Sequence, residues 1–294
     1  MDTNLLEVFG KFNSEERCRE LLETLRFPAG PCCIRCGSVR VSRLIKRHQF
    51  QCLDCHYQFT PMAGTVFHDS HLPLWKWFLA VYLMCDSKKG ISACQLGRML
   101  KVSYKTAWYL CHRIREAMKC DESEKLKGIV EADETFVGGR FDKRRKRETH
   151  EKPCVVGVIQ RGGPVRAQKI PSRGARAIAA FLKESVEPGA RLMTDDYAGY
   201  KKVGKDYQHK TAKHSALQYV EGLTHTNTIE NFWSLFKRGV VGSFHKVSEK
   251  HLDRYIGEFV YRFNGRKEDN LFYDTLKNMV NEKALPFEKL TKTA

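Results

Sequence analysis

Apolar positions along the chain change their period several times, and each change marks an element. In residues 1–28, Leu21, Leu22 and Leu25 recur at helical spacing and Pro28 ends the run, so this stretch reads as a helical lead-in. Residues 29–67 hold only short β-like runs, the clearest being VRVSRLIKRHQFQ, which alternates as a hairpin would. Helical spacing returns over residues 68–122. PLWKWFLAVYLM reads as a core helix in which Trp75 and Trp77 pack. Ile91, Leu96 and Leu100 then share one helical face, a break falls at Lys101–Val102–Ser103, and Ala107, Leu110, Ile114 and Met118 resume the spacing. Ser103 is placed to cap the second of these helices.

From about residue 127 the texture becomes alternating. GIVEADETFVGG, KPCVVGVIQRG and VRAQKI read as strands, ARAIAAFLKESV as a helix and ARLMTDD as another strand. Long helical patterns fill most of the remainder. Strands followed by helices predict an α/β domain with a mixed central sheet over residues 123–284, with 285–294 as a tail.

Composition narrows the class of partner. The 294 residues carry 51 Lys plus Arg against 34 Asp plus Glu, a net charge of +17, which points to a polyanion such as nucleic acid. The longest apolar stretch, Leu72 to Cys85, contains Lys76 and is too short to span a bilayer, and the N-terminus has no secretory pattern, so no membrane role is expected. Of 11 cysteines, four fall in two tight pairs and most others are scattered through apolar segments. That distribution fits one metal site in a reducing compartment better than a disulfide framework.

The pairs are Cys33-Ile-Arg-Cys36 and Cys52-Leu-Asp-Cys55, separated by 15 residues. Two CxxC turns bring four thiolates to tetrahedral corners, the spacing of a zinc ribbon. Four cysteines complete the shell without His48 or His56 and leave no open position, so one structural Zn2+ is expected. The hairpin between the pairs carries Arg40, Arg43, Lys46, Arg47 and His48, suited either to phosphate contacts or to a solvated face.

The two helices joined at 101–103 have the form of a helix-turn-helix, whose second helix would expose Tyr104, Lys105, Tyr109, His112, Arg113 and Arg115 in part. Among the acids, Asp133 sits in a strand-like run, Asp195 ends another, and Glu230 lies in the helical THTNTIENFWSLFKRG with Lys237 two turns further along the same face. Acids on two strands and a helix can converge at a sheet edge, where hard oxygen ligands hold Mg2+ and two such ions support phosphodiester chemistry. Glu131, Glu134 and Asp196 are adjacent competitors. Alternation puts Glu131 on the face of Asp133 and turns Glu134 and Asp196 away from their neighbours.

These residues carry a resemblance. The two cysteine pairs, GTVF at Gly64–Phe67, the helix ending HRIREAM, ADETFVGG and HTNTIENFWSLFKRG followed by HKVSEKHLDRYIGEFVYRFNGR resemble the zinc-ribbon DDE transposases of bacterial insertion sequences, a group related to the Merlin transposons. The resemblance spans residues 20 to 280. It implies an RNase H-like catalytic domain in which Asp133, Asp195 and Glu230 hold two Mg2+ or Mn2+ ions and Lys237 contacts DNA, with Asn227, one turn before Glu230, as an adjunct. It further implies binding to terminal inverted repeats, DNA cleavage and strand transfer, and action as a homo-oligomer on double-stranded DNA. The expected location is the bacterial cytoplasm and nucleoid, or the nucleus in a eukaryotic host. A DNA-binding regulator and a nuclease for RNA–DNA hybrids are the competing functions. The basic run Lys143, Arg144, Arg145, Lys146, Arg147 reads as a DNA-contacting loop, as a solvated loop, or in a eukaryotic host as a nuclear localisation signal.

Overall fold

The structure, a computed structural model, describes residues 4–120, 122–138, 152–200, 206–212 and 225–292. The chain divides into two compact units, Met1–Met118 with Lys267–Ala294, and Lys119–Arg266. The run 143–147 lies outside the described residues.

The first unit opens with α1 (Leu5–Lys11) and α2 (Glu15–Arg26), the latter started by Ser14, whose hydroxyl accepts the Arg17 N–H. A three-stranded antiparallel sheet follows, β1 (Val41–Leu44), β2 (Gln49–Cys52) and β3 (Gln58–Phe59). The hairpin predicted from VRVSRLIKRHQFQ pairs Leu44 with Gln49 around a short 3-10 turn, Ile45–Arg47. Phe27, Phe50 and Phe59 form its small core beside Cys33 and Cys52. Helices α3 (Leu74–Asp86), α4 (Ala93–Leu100) and α5 (Tyr104–Ala117) come next. Lys101 ends α4 in the left-handed region at φ 51°, and the Ser103 hydroxyl accepts the Thr106 N–H at the start of α5.

The second unit is built on a five-stranded mixed sheet of β4 (Ile129–Phe136), β5 (Cys154–Gln160), β6 (Val165–Ile170), β7 (Arg191–Thr194) and β8 (Lys210–Thr211), in the order β6-β5-β4-β7-β8. β4, β5 and β6 are antiparallel; β7 runs parallel to β4, and β8 parallel to β7. β8, too short and polar to show alternation, is absent from the sequence expectation. Helix α6 (Ala175–Ser185) buries Ile178 and Leu182 on the face that carries Val130, Ala132, Val156 and Val158. Helices α7 (Asn227–Gly239) and α8 (Leu252–Asn264) bury Ile229, Trp233, Ile256 and Phe259 against Val155 and Ile159 on the other. This mixed sheet with helices on both faces is consistent with an RNase H-like fold.

The boundary near residue 284 needs correction. Helix α9 (Leu271–Asn281) and α10 (Phe287–Thr291) belong to the first unit, where α9 packs on α2, α3 and α5. Phe272 joins Phe12 and Phe78, the Val66 N–H donates to the Met279 carbonyl, and Leu285 and Leu290 are buried, so residues 285–292 pack into this unit and are not a tail. Periodicity predicts the helix but carries no information about which core its apolar face enters.

One glycine sets how close α7 lies to the sheet. Gly157 pairs with Asp133 across β4 and β5, and a Cβ there would stand 2.6 Å from Cζ2 of Trp233. Gly157→Ala should therefore destabilise the protein by about 1–3 kcal/mol through overpacking, read by urea denaturation, with part of the loss recovered by adding Trp233→Phe.

Candidate active site and zinc centre

The zinc-ribbon cysteines converge as the spacing requires. Cys33 Sγ lies 3.6 Å from Cys55 Sγ, Cys36 Sγ lies 3.5 Å from Cys52 Sγ, and all four sulfurs fall within 4.8 Å of one another. A tetrahedron with Zn–S bonds of about 2.3 Å has edges of about 3.8 Å, so the sulfur cage fits zinc. Each knuckle closes with a left-handed residue after its second cysteine, Gly37 at φ 75° and His56 at φ 57°; His56 thus serves the turn. The Cys55 N–H, aimed at Cys52, is the main cause that brings this thiol down to about 6. The Ser38 N–H pulls Cys36 down likewise, but the facing sulfurs of Cys55 and Cys52 outweigh it and leave that thiol at about 12. Such an arrangement releases protons when a metal takes the cage.

The acidic site sits where the end of β7 adjoins the middle of β4. The parallel register pairs Glu131 with Met193, and its continuation sets Asp195, the first residue after β7, beside Asp133. Carboxylate oxygens of Asp133, Glu134 and Asp195 lie within 4.8 Å of one another. Burial, then the Glu134 charge, raises Asp133 from 3.8 to about 7; Asp195 and Glu230 push in the same direction and the Glu134 N–H opposes them. A half-buried acid cluster of this kind is suited to a divalent cation, which would replace that mutual repulsion with attraction. Glu230, in the first turn of α7, is held by the Thr226 hydroxyl at 2.7 Å; it acts on Asp133 electrostatically but stands outside the tight cluster. Asn227 and Lys237 are exposed on the same helix.

The two other acids of β4 are engaged elsewhere. Glu131, with no exposed surface, accepts from Arg161, from the Thr228 hydroxyl and from the N–H groups of Thr228 and Ile229. Glu134 receives Arg173 on Oε1 and the Tyr200 hydroxyl on Oε2 at 2.6 Å. Sequence alternation already turns Glu134 from Asp133, yet it lies in the cluster, because the Asp133 side chain bends back to accept the Glu134 N–H at 2.8 Å. Arg161, Arg173 and Tyr200 are absent from the sequence expectation, since nothing in their local pattern marks them.

The proposed DNA-facing residues separate into two groups. Lys46, Arg47, Tyr104 and Lys105 are exposed. Arg43 is paired with Glu23 and lies 4.9 Å over the Phe50 ring. His112 and Arg113, expected on the recognition face, are buried, and this corrects the expectation. Arg113 donates to the carbonyls of Val66 and His68 and stacks 4.9 Å over Trp77. Arg115 is buried with them, and Tyr109, half-buried, donates its hydroxyl to the Leu285 carbonyl. The physical reason is packing on two sides of α5: Trp77 and the 66–68 segment enclose Arg113, while Leu285 and Phe287 of the returning C-terminal segment cover Tyr109.

Comparison with known proteins bears on this geometry. Residues 125–264 match the ISXO2-like transposase domain and residues 13–58 the transposase zinc-ribbon domain. A Halobacterium salinarum protein described as an uncharacterized protein in transposable element ISH50 is 31% identical over 273 residues, 85% of this chain and 91% of the relative. The chain belongs to the zinc-ribbon transposases of insertion sequences. A chain of the simian T-cell lymphotropic virus intasome, in complex with PP2A regulatory subunit B56 gamma, aligns with a TM-score of 0.30 at 10% identity, over 56% of this chain and 63% of that one. At that level of likeness no fold is transferred. Among the described residues of the transposase, no helix is long and apolar enough to cross a membrane.

A carboxyl raised by folding favours the folded state while it is protonated, and that contribution is lost as pH rises from 3.8 through about 7. In metal-free transposase, Asp133→Asn should therefore raise stability by on the order of a few kcal/mol at about pH 8 and by little at about pH 4. Scanning calorimetry at the two pH values checks this. Removing zinc by chelation, or Cys36→Ser, should unfold the ribbon and lower bound zinc, measured by metal analysis and the circular dichroism of the full chain.

Proposed function

We propose that this transposase cuts the ends of its element and joins them to target DNA at the Asp133 site, using two divalent ions, Mg2+ or Mn2+. The observation that carries the proposal is the convergence of Asp133, within β4, and Asp195, just after β7, with Glu230 within electrostatic reach on α7. Bound divalent ions would supply activation of the attacking oxygen and neutralisation of the leaving one. Asp133 and Asp195, with Glu230 from the helix, would hold these ions. Lys237, exposed two turns beyond Glu230, binds a DNA phosphate, and Asn227 orients the strand from the first turn of α7. Water attacks the phosphodiester at the element end, whose P–O3′ bond breaks to leave a 3′-hydroxyl on the element and a 5′-phosphate on the flank; that hydroxyl then attacks a target phosphodiester, forming a new P–O3′ bond as the target's own P–O3′ bond breaks.

End recognition is assigned to the first unit. α4, the Lys101 turn and α5 act as a helix-turn-helix, with Tyr104 and Lys105 at the exposed start of the second helix. Lys46 and Arg47 at the tip of the ribbon hairpin bind phosphates, and the basic run 143–147 adds further contacts. The protein acts as a homo-oligomer that pairs two inverted repeats.

Asp133→Asn or Asp195→Asn should abolish Mg2+-dependent cleavage and joining of an end-bearing DNA while leaving end binding within about twofold. Cleavage of RNA–DNA hybrids without strand transfer would favour a nuclease instead, and binding without any chemistry a regulator. Lys46→Ala with Arg47→Ala should weaken binding and reduce its salt slope by about two.

A further inference from the structure

Three acids of one strand serve the site in different ways. β4 carries Glu131, Asp133 and Glu134, and the elements that bring the other two proposed ligands each rest on one of the acids that flank Asp133. On the α7 face, Glu131 Oε2 accepts the N–H of Thr228 at 2.8 Å and of Ile229 at 3.0 Å, two donors of the helix's first turn. Thr226, in the N-cap position, makes no side-chain cap and instead donates its hydroxyl to Glu230. Glu131 therefore caps α7 from another element, a buried negative charge at the positive end of the helix dipole, with Arg161 balancing it at 2.7 Å. Arg161 also donates to the His225 carbonyl at 2.9 Å and so holds the approach to the helix.

On the opposite face, Glu134 holds the segment that follows Asp195. Tyr200 donates its hydroxyl to Glu134, and Arg173, paired with the same carboxylate, stacks 3.7 Å over the ring of Tyr197. The Tyr197 hydroxyl donates to the Arg173 carbonyl at 2.9 Å, while its N–H donates to Asp195 Oδ1 at 3.1 Å. Both oxygens of Glu134 are thus engaged by protein donors, although the residue lies in the acidic cluster.

We propose that Glu131 and Glu134 are positioning residues of the metal site, Glu131 setting Glu230 through the first turn of α7 and Glu134 setting Asp195 through Tyr200, Arg173 and Tyr197. The proposal rests on the assignment of Asp133, Asp195 and Glu230 as ligands. Partners that orient metal ligands without touching the ion change metal affinity by about 10–100-fold when lost, and excess metal overcomes the defect. A residue that serves stability alone lowers Tm and leaves the affinity of the folded fraction unchanged.

The test titrates Mn2+ into the zinc-loaded full-length protein. Free Mn2+ is followed by electron paramagnetic resonance, with Tm measured in the absence of Mn2+. Glu131→Gln, and separately Tyr200→Phe, should weaken Mn2+ binding about tenfold while saturating at the wild-type stoichiometry, and high Mn2+ should restore DNA cleavage. Asp133→Asn should lose a site outright, with no recovery at high Mn2+. If Glu131→Gln does not fold, Thr228→Val, which removes one donor to Glu131, should show a smaller shift in the same direction. Folded variants that bind Mn2+ as tightly as wild type would overturn the positioning roles. Failure of the wild-type protein to bind Mn2+ would instead overturn the metal-site assignment itself.

Discussion

The constraint on which the second unit depends is the burial of carboxylates on its central strand. A chain that sets three acids within four residues of a strand covered on both faces must supply each with donors, a cation or a proton. Glu131 takes helix N–H groups and Arg161; Glu134 takes Arg173 and Tyr200; Asp133 is left with the Glu134 N–H and a carboxyl raised to about 7. The acids held by cationic and hydroxyl donors flank the one that accepts a backbone N–H. That contrast, more than the number of acids present, marks Asp133 as the place where a divalent ion would relieve the most repulsion.

Packing brings the helix to that point. The absence of a Cβ at Gly157 lets Trp233 lie against the strand opposite Asp133, and Trp233 stands one turn from Glu230 on α7. The same contact that fills the core therefore fixes how near the third proposed ligand can come. Core substitutions on this face would be felt at the site, since well-packed interiors transmit strain.

In the first unit two different devices replace a large core. The ribbon has a few aromatic rings around its sulfur cage, too little apolar material to hold a module of this size without the metal. The helical part is closed by α9 and α10 returning from the far end of the chain, while Trp77 of α3 and residues 66–68 enclose Arg113. Arg113 is a structural cation, holding the carbonyls of Val66 and His68 in place. Of the +17 charge, then, part is spent inside the protein and is unavailable to DNA.

Much was legible in the sequence, for physical reasons that are local. CxxC spacing dictates a four-sulfur cage because a short knuckle can present only those atoms. Alternation at IVEADETF and the 3.6-residue period of the helices follow from backbone geometry, so strands, helices, and the placement of Asp133 within one strand and Asp195 at the end of another were readable. Tertiary structure alone decided the rest. Periodicity shows that a helix has an apolar face but not which core receives it, so the return of residues 267–294 and the burial of Arg113 could not be foreseen. Nor does a carboxylate reveal its partners. Arg161 lies 30 residues from Glu131, and Tyr200 lies 66 from Glu134, so only the folded chain separates the acids that brace the site from the one left to bind.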